Sequence, residues 1–399
     1  MADSGGAGAT ADPSAGAAAA ASAPSAAGPR LFAFGLIADV QYSDIPDGTS
    51  FDGSETRHYR GTLLHARAAA ADFAARGAST VVQLGDLVDG KTNPAATVGM
   101  PDAEEPCEAS LVACATALEA LAGPYVTLHV RGNHDVYNFS TTSLKRVLAL
   151  PPSAAPFPAP DAFYYSSSPH PRWRFLVLDA YDVSLARPRG SPGFAAAQAL
   201  LKAHNPNPCA WGEPDAPPGN FFTGLRGTPE ARYVPFNGAL GEAQLAWLRG
   251  ELARARAAAQ RVAVFCHVPF LPAARSLREG DCFSTLLFNS EEVLAALAPY
   301  AACGTVAAVF AGHNHAGSFG RDAAGVPHFT LPSPLLWPAG SHAVVEVYEG
   351  ALRVHAAGEC ASLLGPALQG AAGGAQPLPQ QQERCASADF ALLPLAPPP

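Results

Sequence analysis

The chain has 399 residues, 48% of them hydrophobic, enough to bury a large core, so a soluble globular enzyme is the expected class. A formal charge of -9 argues against gripping nucleic acid through a basic surface, and no apolar run approaches the ~20 residues of a membrane-spanning helix. Eight cysteines lie scattered without a CxxC pair, which removes zinc-finger and thioredoxin-like readings and leaves buried free thiols in a cytoplasmic protein as the expectation.

Residues 1–29 are Ala, Gly, Ser and Pro without the cationic start of a signal peptide, and they read as a disordered tail. A single catalytic domain is expected over 30–360. It opens with Leu31 to Ala38, a continuous apolar run of the kind that forms a buried strand. His58 to Arg76, rich in Ala and Leu, predicts a helix, followed by a strand over Thr80 to Leu84 and a helix over Glu108 to Leu121. Tyr125 to Val130, Phe175 to Leu178, Val262 to Phe265 and Val306 to Phe310 predict further buried strands. Between the last three lie helices over Gly241 to Gln260, where Leu245, Leu248 and Leu252 keep helical spacing, and over Ser290 to Leu297.

Strand and helix alternate, so the fold class is α/β. Pro327 to Leu331, His342 to Tyr348 and Ala351 to Ala356 predict closing strands, the last two joined as a hairpin through Glu349 and Gly350. Two stretches rich in Pro and Gly, Pro151 to Pro160 and Ala186 to Arg232, exceed ordinary loop lengths and read as surface insertions. Residues 361–399 are rich in Pro, Gln and Gly and read as a loose tail, with Phe390 to Leu393 as a stretch that could dock.

Polar residues cluster directly after the buried strands. Asp39-Val40-Gln41 ends the first, and side chains alternating along an extended segment would aim residues 39 and 41 at one ion. Gly85-Asp86-Leu87-Val88-Asp89 ends the second; Asp86 has lone pairs enough to bridge two cations, while Asp89 better suits capping the loop. Arg131-Gly132-Asn133-His134-Asp135 ends the third, offering a neutral oxygen from Asn133 and a general acid in His134. His267 follows the fifth, and Gly312-His313-Asn314-His315 follows the sixth, a chelating His-x-His pair if that turn is extended. Each string alone is as easily a turn or a cap. Together, Asp39, Gln41, Asp86, Asn133, His267, His313 and His315 form an oxygen and nitrogen set without thiolate, too many for one tetrahedral shell. Two divalent ions suit such a set, clamping a phosphoryl group between them.

These five strings in this order resemble the calcineurin-like metallophosphoesterase superfamily (D-x-H, GD-x-x-D, GNH-D/E, a lone H and GH-x-H), with Gln41 standing where most members carry His. Gln at that place, within Asp39 to Gly48, looks like the manganese-dependent ADP-ribose/CDP-alcohol diphosphatases. Arg57-His58-Tyr59-Arg60, Phe236-Asn237-Gly238 and His267-Val268-Pro269 are similar as well, and the resemblance covers Phe32 to Val354.

It implies a two-sheet β-sandwich flanked by helices, with the metal site on loops at the C-terminal ends of strands. It further implies that Asp39, Gln41, Asp86 and His315 hold one ion and Asp86, Asn133, His267 and His313 the other. The expected cofactors are two divalent ions, Mn2+ before Mg2+, Fe or Zn2+, since an amide oxygen is harder than imidazole. The expected reaction cleaves the pyrophosphate of ADP-ribose, CDP-choline or CDP-glycerol to a nucleoside monophosphate and a phosphorylated sugar or alcohol. The expected partner is this small nucleoside diphosphate, with no nucleic acid and no membrane, and the chain is taken as a monomer. Phe51, Tyr59, Phe163, Tyr164, Phe236 and Cys282 are candidate substrate contacts, by aromatic stacking or proximity.

Two other readings exist. A phosphomonoesterase or protein phosphatase of the same superfamily is disfavoured because Gly90 stands where the serine/threonine phosphatases place a phosphate-gripping Arg, and Asp89 where purple acid phosphatases place tyrosine. A metal-free interaction scaffold is disfavoured by the completeness of the ligand set.

Overall fold

The computed structural model describes residues 27–50, 53–94, 106–150, 157–272, 275–276, 282–336, 339–361 and 387–395. The six apolar runs are strands at Arg30–Ile37, Thr80–Gln83, Val126–His129, Trp173–Val177, Arg261–Phe265 and Val306–Ala311. They divide between two sheets. The first has six strands in the order Ser387–Pro394, Ala351–Gly358, Ser341–Tyr348, Arg30–Ile37, Thr80–Gln83, Val126–His129. The second has seven, in the order Tyr165–His170, Trp173–Val177, Arg261–Phe265, Val306–Ala311, Pro327–Thr330, Ser318–Arg321, Arg275–Ser276.

The strands that matter for the site run parallel to one another within each sheet: Arg30–Ile37, Thr80–Gln83 and Val126–His129 in the first, and Trp173–Val177, Arg261–Phe265 and Val306–Ala311 in the second. Parallel neighbours need crossover connections, which here include the helices Thr62–Ala75, Glu108–Ala120, Glu242–Ala257 and Ser290–Ala302. The consequence is that the C-terminal ends of neighbouring strands emerge together at one edge, where ligand-binding loops of α/β sheets collect.

The sheets meet through an aromatic core. Phe34 of the first sheet lies edge-on to three rings of the second, with centroids 5.0 Å from Phe175, 6.0 Å from Phe265 and 5.7 Å from Phe310. Such T-shaped pairs add about 0.5–1.5 kcal/mol each beyond the area they bury. On the outer face of the first sheet, helix Thr62–Ala75 presses Phe73 onto the opening strand. A Cβ at position 35 would lie 2.6 Å from the Phe73 ring, so Gly35 is the residue that lets the helix approach.

Three departures from the sequence reading have physical causes. The helix predicted over His58 to Arg76 begins at Thr62, because the His58 N–H donates to Leu335 O and holds that segment off the helical path. The insertion Ala186 to Arg232 contains the helix Pro192–His204, started by Ser191, whose hydroxyl accepts from the Phe194 N–H, and by Pro192 in the first turn. That helix has its own small core with Leu185, Phe194, Ala197, Leu201 and Tyr233. Phe390 to Leu393, the stretch of the tail read as able to dock, does so within a longer strand, Ser387–Pro394, that pairs antiparallel with Ala351–Gly358. At the other end, Ala27 already packs on Tyr348 and Ala351.

Among the described residues no helix is long and apolar enough to cross a membrane. Six of the described cysteines are free thiols: Cys114, Cys266 and Cys360 are buried and Cys107, Cys209 and Cys303 partly exposed.

Candidate metal centre

Each candidate ligand lies just beyond a strand end, and the loops that carry them are laced together by backbone hydrogen bonds. Asp39 N–H donates to Gly85 O at 3.1 Å, Gln41 N–H to Asp86 O at 2.8 Å, and Gly312 N–H to His267 O at 2.9 Å. Asp39, Gln41, Asp86 and His313 have φ of 51°, 43°, 57° and 65°, four of the six non-glycine residues with positive φ among those described. Left-handed backbone costs an L-residue roughly 1–2 kcal/mol, and strain of this kind gathers where a site demands a particular side-chain direction. The extended alternation expected for residues 39–41 and 313–315 is therefore absent; left-handed kinks turn these side chains inward instead. Gly132 is equally constrained, since a Cβ there would lie 2.0 Å from Asp86 Oδ1.

The side chains sort into two groups that share one atom. In the first, Gln41 Nε2 lies 3.1 Å from Asp86 Oδ2 and 2.8 Å from His315 Nε2, and His315 Nε2 lies 3.6 Å from Asp39 Oδ1. In the second, His267 Nε2 lies 3.4 Å from Asp86 Oδ2 and 3.3 Å from Asn133 Oδ1, with the His313 ring centroid 5.0 Å from that of His267. Asp39, Asp86 and His267, all fully buried, bring one donor atom each within 4.8 Å of one another. Three loops of the set come from the first sheet and two from the second.

This donor set fits divalent cations. Buried carboxylates and imidazoles this close need a counter-charge, and oxygen with nitrogen and no thiolate suits manganese, magnesium, iron or zinc. Gln41 supplies a further observation: its amide nitrogen faces Asp86 and His315, while its buried Oε1 has no hydrogen-bond partner. A half-turn of the amide, opposed by no hydrogen bond from Oε1, would present that oxygen to a cation.

The ionisable groups of the centre shift one another strongly. Burial works against the charged form of Asp86, but His267 and His134 outweigh it and hold the carboxyl well below the usual range. Burial would lower His267; the charge and hydrogen bond of Asp86, then the charge of Asp39, overcome it and push the imidazole up to about 9. Burial and the charge of His267 drive His313 the other way, well below 6.5. Burial alone takes His129 down to about 4.

A pH profile follows for the chelator-treated protein. His267, raised above its unfolded value of 6.5, contributes stability that is complete below pH 6.5 and disappears as pH rises through about 9. His313 and His129, lowered, remove stability as pH falls below 6.5, because the unfolded chain then takes up protons that the folded chain refuses. Denaturation midpoints across pH 5 to 9 are expected to peak near 6.5, the unfolded histidine value. Midpoints that climbed from pH 6.5 to 9 would contradict this assignment of charge.

The surrounding residues hold the loops. Asp89 caps the turn after Asp86, accepting from Lys91 N–H at 2.8 Å, as expected of it. His134 is aligned by Gly90 N–H, which donates to its Nδ1 at 2.8 Å, so in the neutral ring the proton sits on Nε2. Asp135 accepts from the N–H groups of Asp86, Leu87 and Gly132 at 2.8, 2.9 and 2.9 Å; burial and the Asp86 charge push its carboxyl up against the pull of those three donors. Tyr181 OH donates to Asn133 Oδ1 at 3.2 Å, and Asn237 Oδ1 lies 2.7 Å from His313 Nε2.

The candidate substrate contacts are less uniform. Phe236 borders the centre, its ring centroid 5.8 Å from that of His313. Tyr59 is fully buried beside Lys91, and Phe163 is fully buried against Phe157 and Arg131, so neither presents a face on which a base could stack. Tyr164 packs on Trp247. Cys282 begins the 3-10 helix Cys282–Thr285, and Phe51 lies outside the described residues.

No family model matches the chain. It is 37% identical to the manganese-dependent ADP-ribose/CDP-alcohol diphosphatase of Oryza sativa subsp. japonica over 325 residues, 80% of this chain and 88% of that protein. It is 32% identical to the Homo sapiens protein of the same name over 320 residues, 76% of this chain and 82% of the relative. Among solved structures, a dimetal phosphatase from Danio rerio superposes with a TM-score of 0.69 at 32% identity, covering 83% of this chain and 97% of that one. The fold is thus the one carried by that dimetal phosphatase, of the metallophosphoesterase class. The chain belongs to the family of manganese-dependent ADP-ribose/CDP-alcohol diphosphatases.

Proposed function

We propose that this chain is a two-metal, manganese-preferring hydrolase of nucleoside diphosphates linked to a sugar or alcohol, with ADP-ribose and CDP-alcohols as substrates. The observation that carries the reading is the shared Asp86 Oδ2, lying within 3.4 Å of Gln41 Nε2 and His267 Nε2, one from each half of the ligand set. The names of the relatives supply the substrates. Asp39, Gln41, Asp86 and His315 would hold one ion and Asp86, Asn133, His267 and His313 the other. Divalent ions bound there polarise phosphoryl oxygens, neutralise charge on them and acidify water.

The chain's own side chains then have distinct tasks. Asp86 holds both halves of the site in register, because its carboxylate also accepts from the His134 N–H at 2.7 Å and so fixes the loop of Asn133. His134 is oriented through Nδ1, which leaves its Nε2–H to donate a hydrogen bond to the leaving phosphate oxygen and stabilise the charge that grows there. Phe236 borders the centre where a base or ribose could lie. The products are a nucleoside monophosphate and a phosphorylated sugar or alcohol. The free thiols support a reducing compartment, the cytoplasm, and the substrate is small enough for a monomer to process alone.

Incubating the purified chain with manganese and, separately, ADP-ribose, CDP-choline, CDP-glycerol, FAD, ADP-glucose and p-nitrophenyl phosphate tests the reading. Faster turnover of p-nitrophenyl phosphate than of any diphosphate would replace it with a phosphomonoesterase. Gln41→His, exchanging an amide oxygen for imidazole, is expected to move metal preference from manganese toward zinc. Activity titrations with each metal measure this, and an unchanged order refutes the assigned role of Gln41.

A further inference from the structure

We infer that Asn237 is a positioning residue for the metal centre: its amide oxygen fixes the proton of His313 on Nε2, so that Nδ1 faces the cation, and its amide nitrogen ties that ring to two neighbouring loops. The inference rests on reading His313 as a ligand and adds a residue outside the ligand set.

Asn237 is completely buried. Its amide nitrogen has two hydrogens, and both are committed to carbonyls, Arg232 O and Ser284 O, each at 2.9 Å. Turning the amide over would point its oxygen at two acceptors, so the orientation is fixed by chemistry. Oδ1 then faces His313 Nε2 at 2.7 Å. An amide oxygen only accepts, so Nε2 must donate, and a neutral ring with its proton on Nε2 has its lone pair on Nδ1.

His267 is tethered in the opposite sense. Its Nδ1 lies 2.8 Å from Leu84 O, a carbonyl that again only accepts, so Nδ1 always keeps a proton and Nε2 is the nitrogen that faces Asp86 and Asn133. The two rings thus present different nitrogens to the centre. The tether of His267 is backbone and cannot be removed by substitution, whereas that of His313 is a side chain. Outer partners of this kind typically account for about 10- to 100-fold in metal affinity.

The two carbonyls held by Asn237 end the 3-10 helix Pro229–Arg232 and lie within the 3-10 helix Cys282–Thr285. Phe236 immediately precedes Asn237. One buried amide therefore links a ligand ring to the segments that carry two of the candidate substrate contacts, and metal affinity and KM should respond to different halves of it. The oxygen governs the first and the nitrogen the second.

Three variants and one spectrum test this. Asn237→Ala is expected to weaken manganese binding, measured by calorimetry, about 10- to 100-fold, while Asn237→Asp, which keeps an acceptor and loses both donors, stays within about threefold but raises KM for ADP-ribose. Nitrogen-15 NMR of the chelated wild-type protein at pH 7, with His313 assigned by its absence in His313→Gln, should show the Nε2–H tautomer. An Nδ1–H ring, or losses of affinity that are equal in the Ala and Asp variants, overturns the positioning role. If His313→Gln binds manganese with wild-type affinity and stoichiometry, the failure lies in the ligand assignment, whichever tautomer is found.

Discussion

Asp86→Ala is expected to lower turnover of ADP-ribose in saturating manganese by at least about a thousandfold, which is on the order of 4 kcal/mol of transition-state stabilisation. The size follows from position: this carboxylate is the common member of both halves of the centre, so its loss disturbs both. It also removes the acceptor of the His134 N–H, which frees the loop holding Asn133 and His134 together. The rate in single turnover should fall along with steady-state kcat, and manganese stoichiometry by elemental analysis should drop below two. Loss of rate with both ions retained would instead make Asp86 a structural residue, and the two-ion reading of its role would fail.

The second large effect is on stability. Arg131→Met is expected to cost about 3–5 kcal/mol, because it leaves Asp179 charged, buried and unpaired. Both partners are fully inaccessible, and the guanidinium meets the carboxylate through two nitrogens, with Arg131 Nε donating to Asp179 Oδ1 at 3.1 Å and Nη2 to Oδ2. Arg131 follows a strand of the first sheet and Asp179 a strand of the second, so the pair spans the sandwich beside the Gly132 loop. The melting temperature should fall by roughly 10 °C, and Arg131→Met combined with Asp179→Leu should regain much of it, since the desolvated charge is gone. A double variant no more stable than the single one would show that the pair's worth lies in its other contacts, such as Arg131 Nη1 to Thr141 Oγ1 at 2.6 Å.

The ligand loops were legible in the sequence because each follows the buried end of a strand, and such ends announce themselves as apolar runs that stop at a polar residue. Asp39 after Ile37 and Ala38, or His267 after Phe265 and Cys266, stand out by contrast. The reason given for their convergence was only half right, since left-handed backbone, not strand alternation, turns Asp39, Gln41 and His313 inward. No propensity points to an aspartate or histidine at positive φ; cross-loop hydrogen bonds such as Gln41 N–H to Asp86 O impose it.

The supporting residues were not legible for a different reason. Asn237 acts on a ring 76 positions away, Tyr181 on Asn133 48 positions away, and Asp135 on Asp86 49 positions away. Their chemistry exists only once the sheets have paired. Asp135 and Asn237 do sit inside strings that the family resemblance singles out, but a string does not say which atom meets which. The helix Pro192–His204 does carry a local signal, since Ser191 followed by Pro192 and an Ala and Leu run is a helix start, but the prolines and glycines on either side obscure it.

The left-handed residues carry a consequence for laboratory evolution. At Asp39, Gln41, Asp86 and His313 the local backbone would prefer glycine, so selection on folding alone and selection on turnover pull those four positions apart. A library screened only for expression or heat resistance should accumulate glycine there, with Gln41 and His313, whose side chains meet other side chains and not backbone, ahead of Asp39 and Asp86, whose carboxylates accept from backbone N–H groups. Survivors of such a screen would be well folded and inert, and their sequences would mark the catalytic end of the sandwich without an assay having been run.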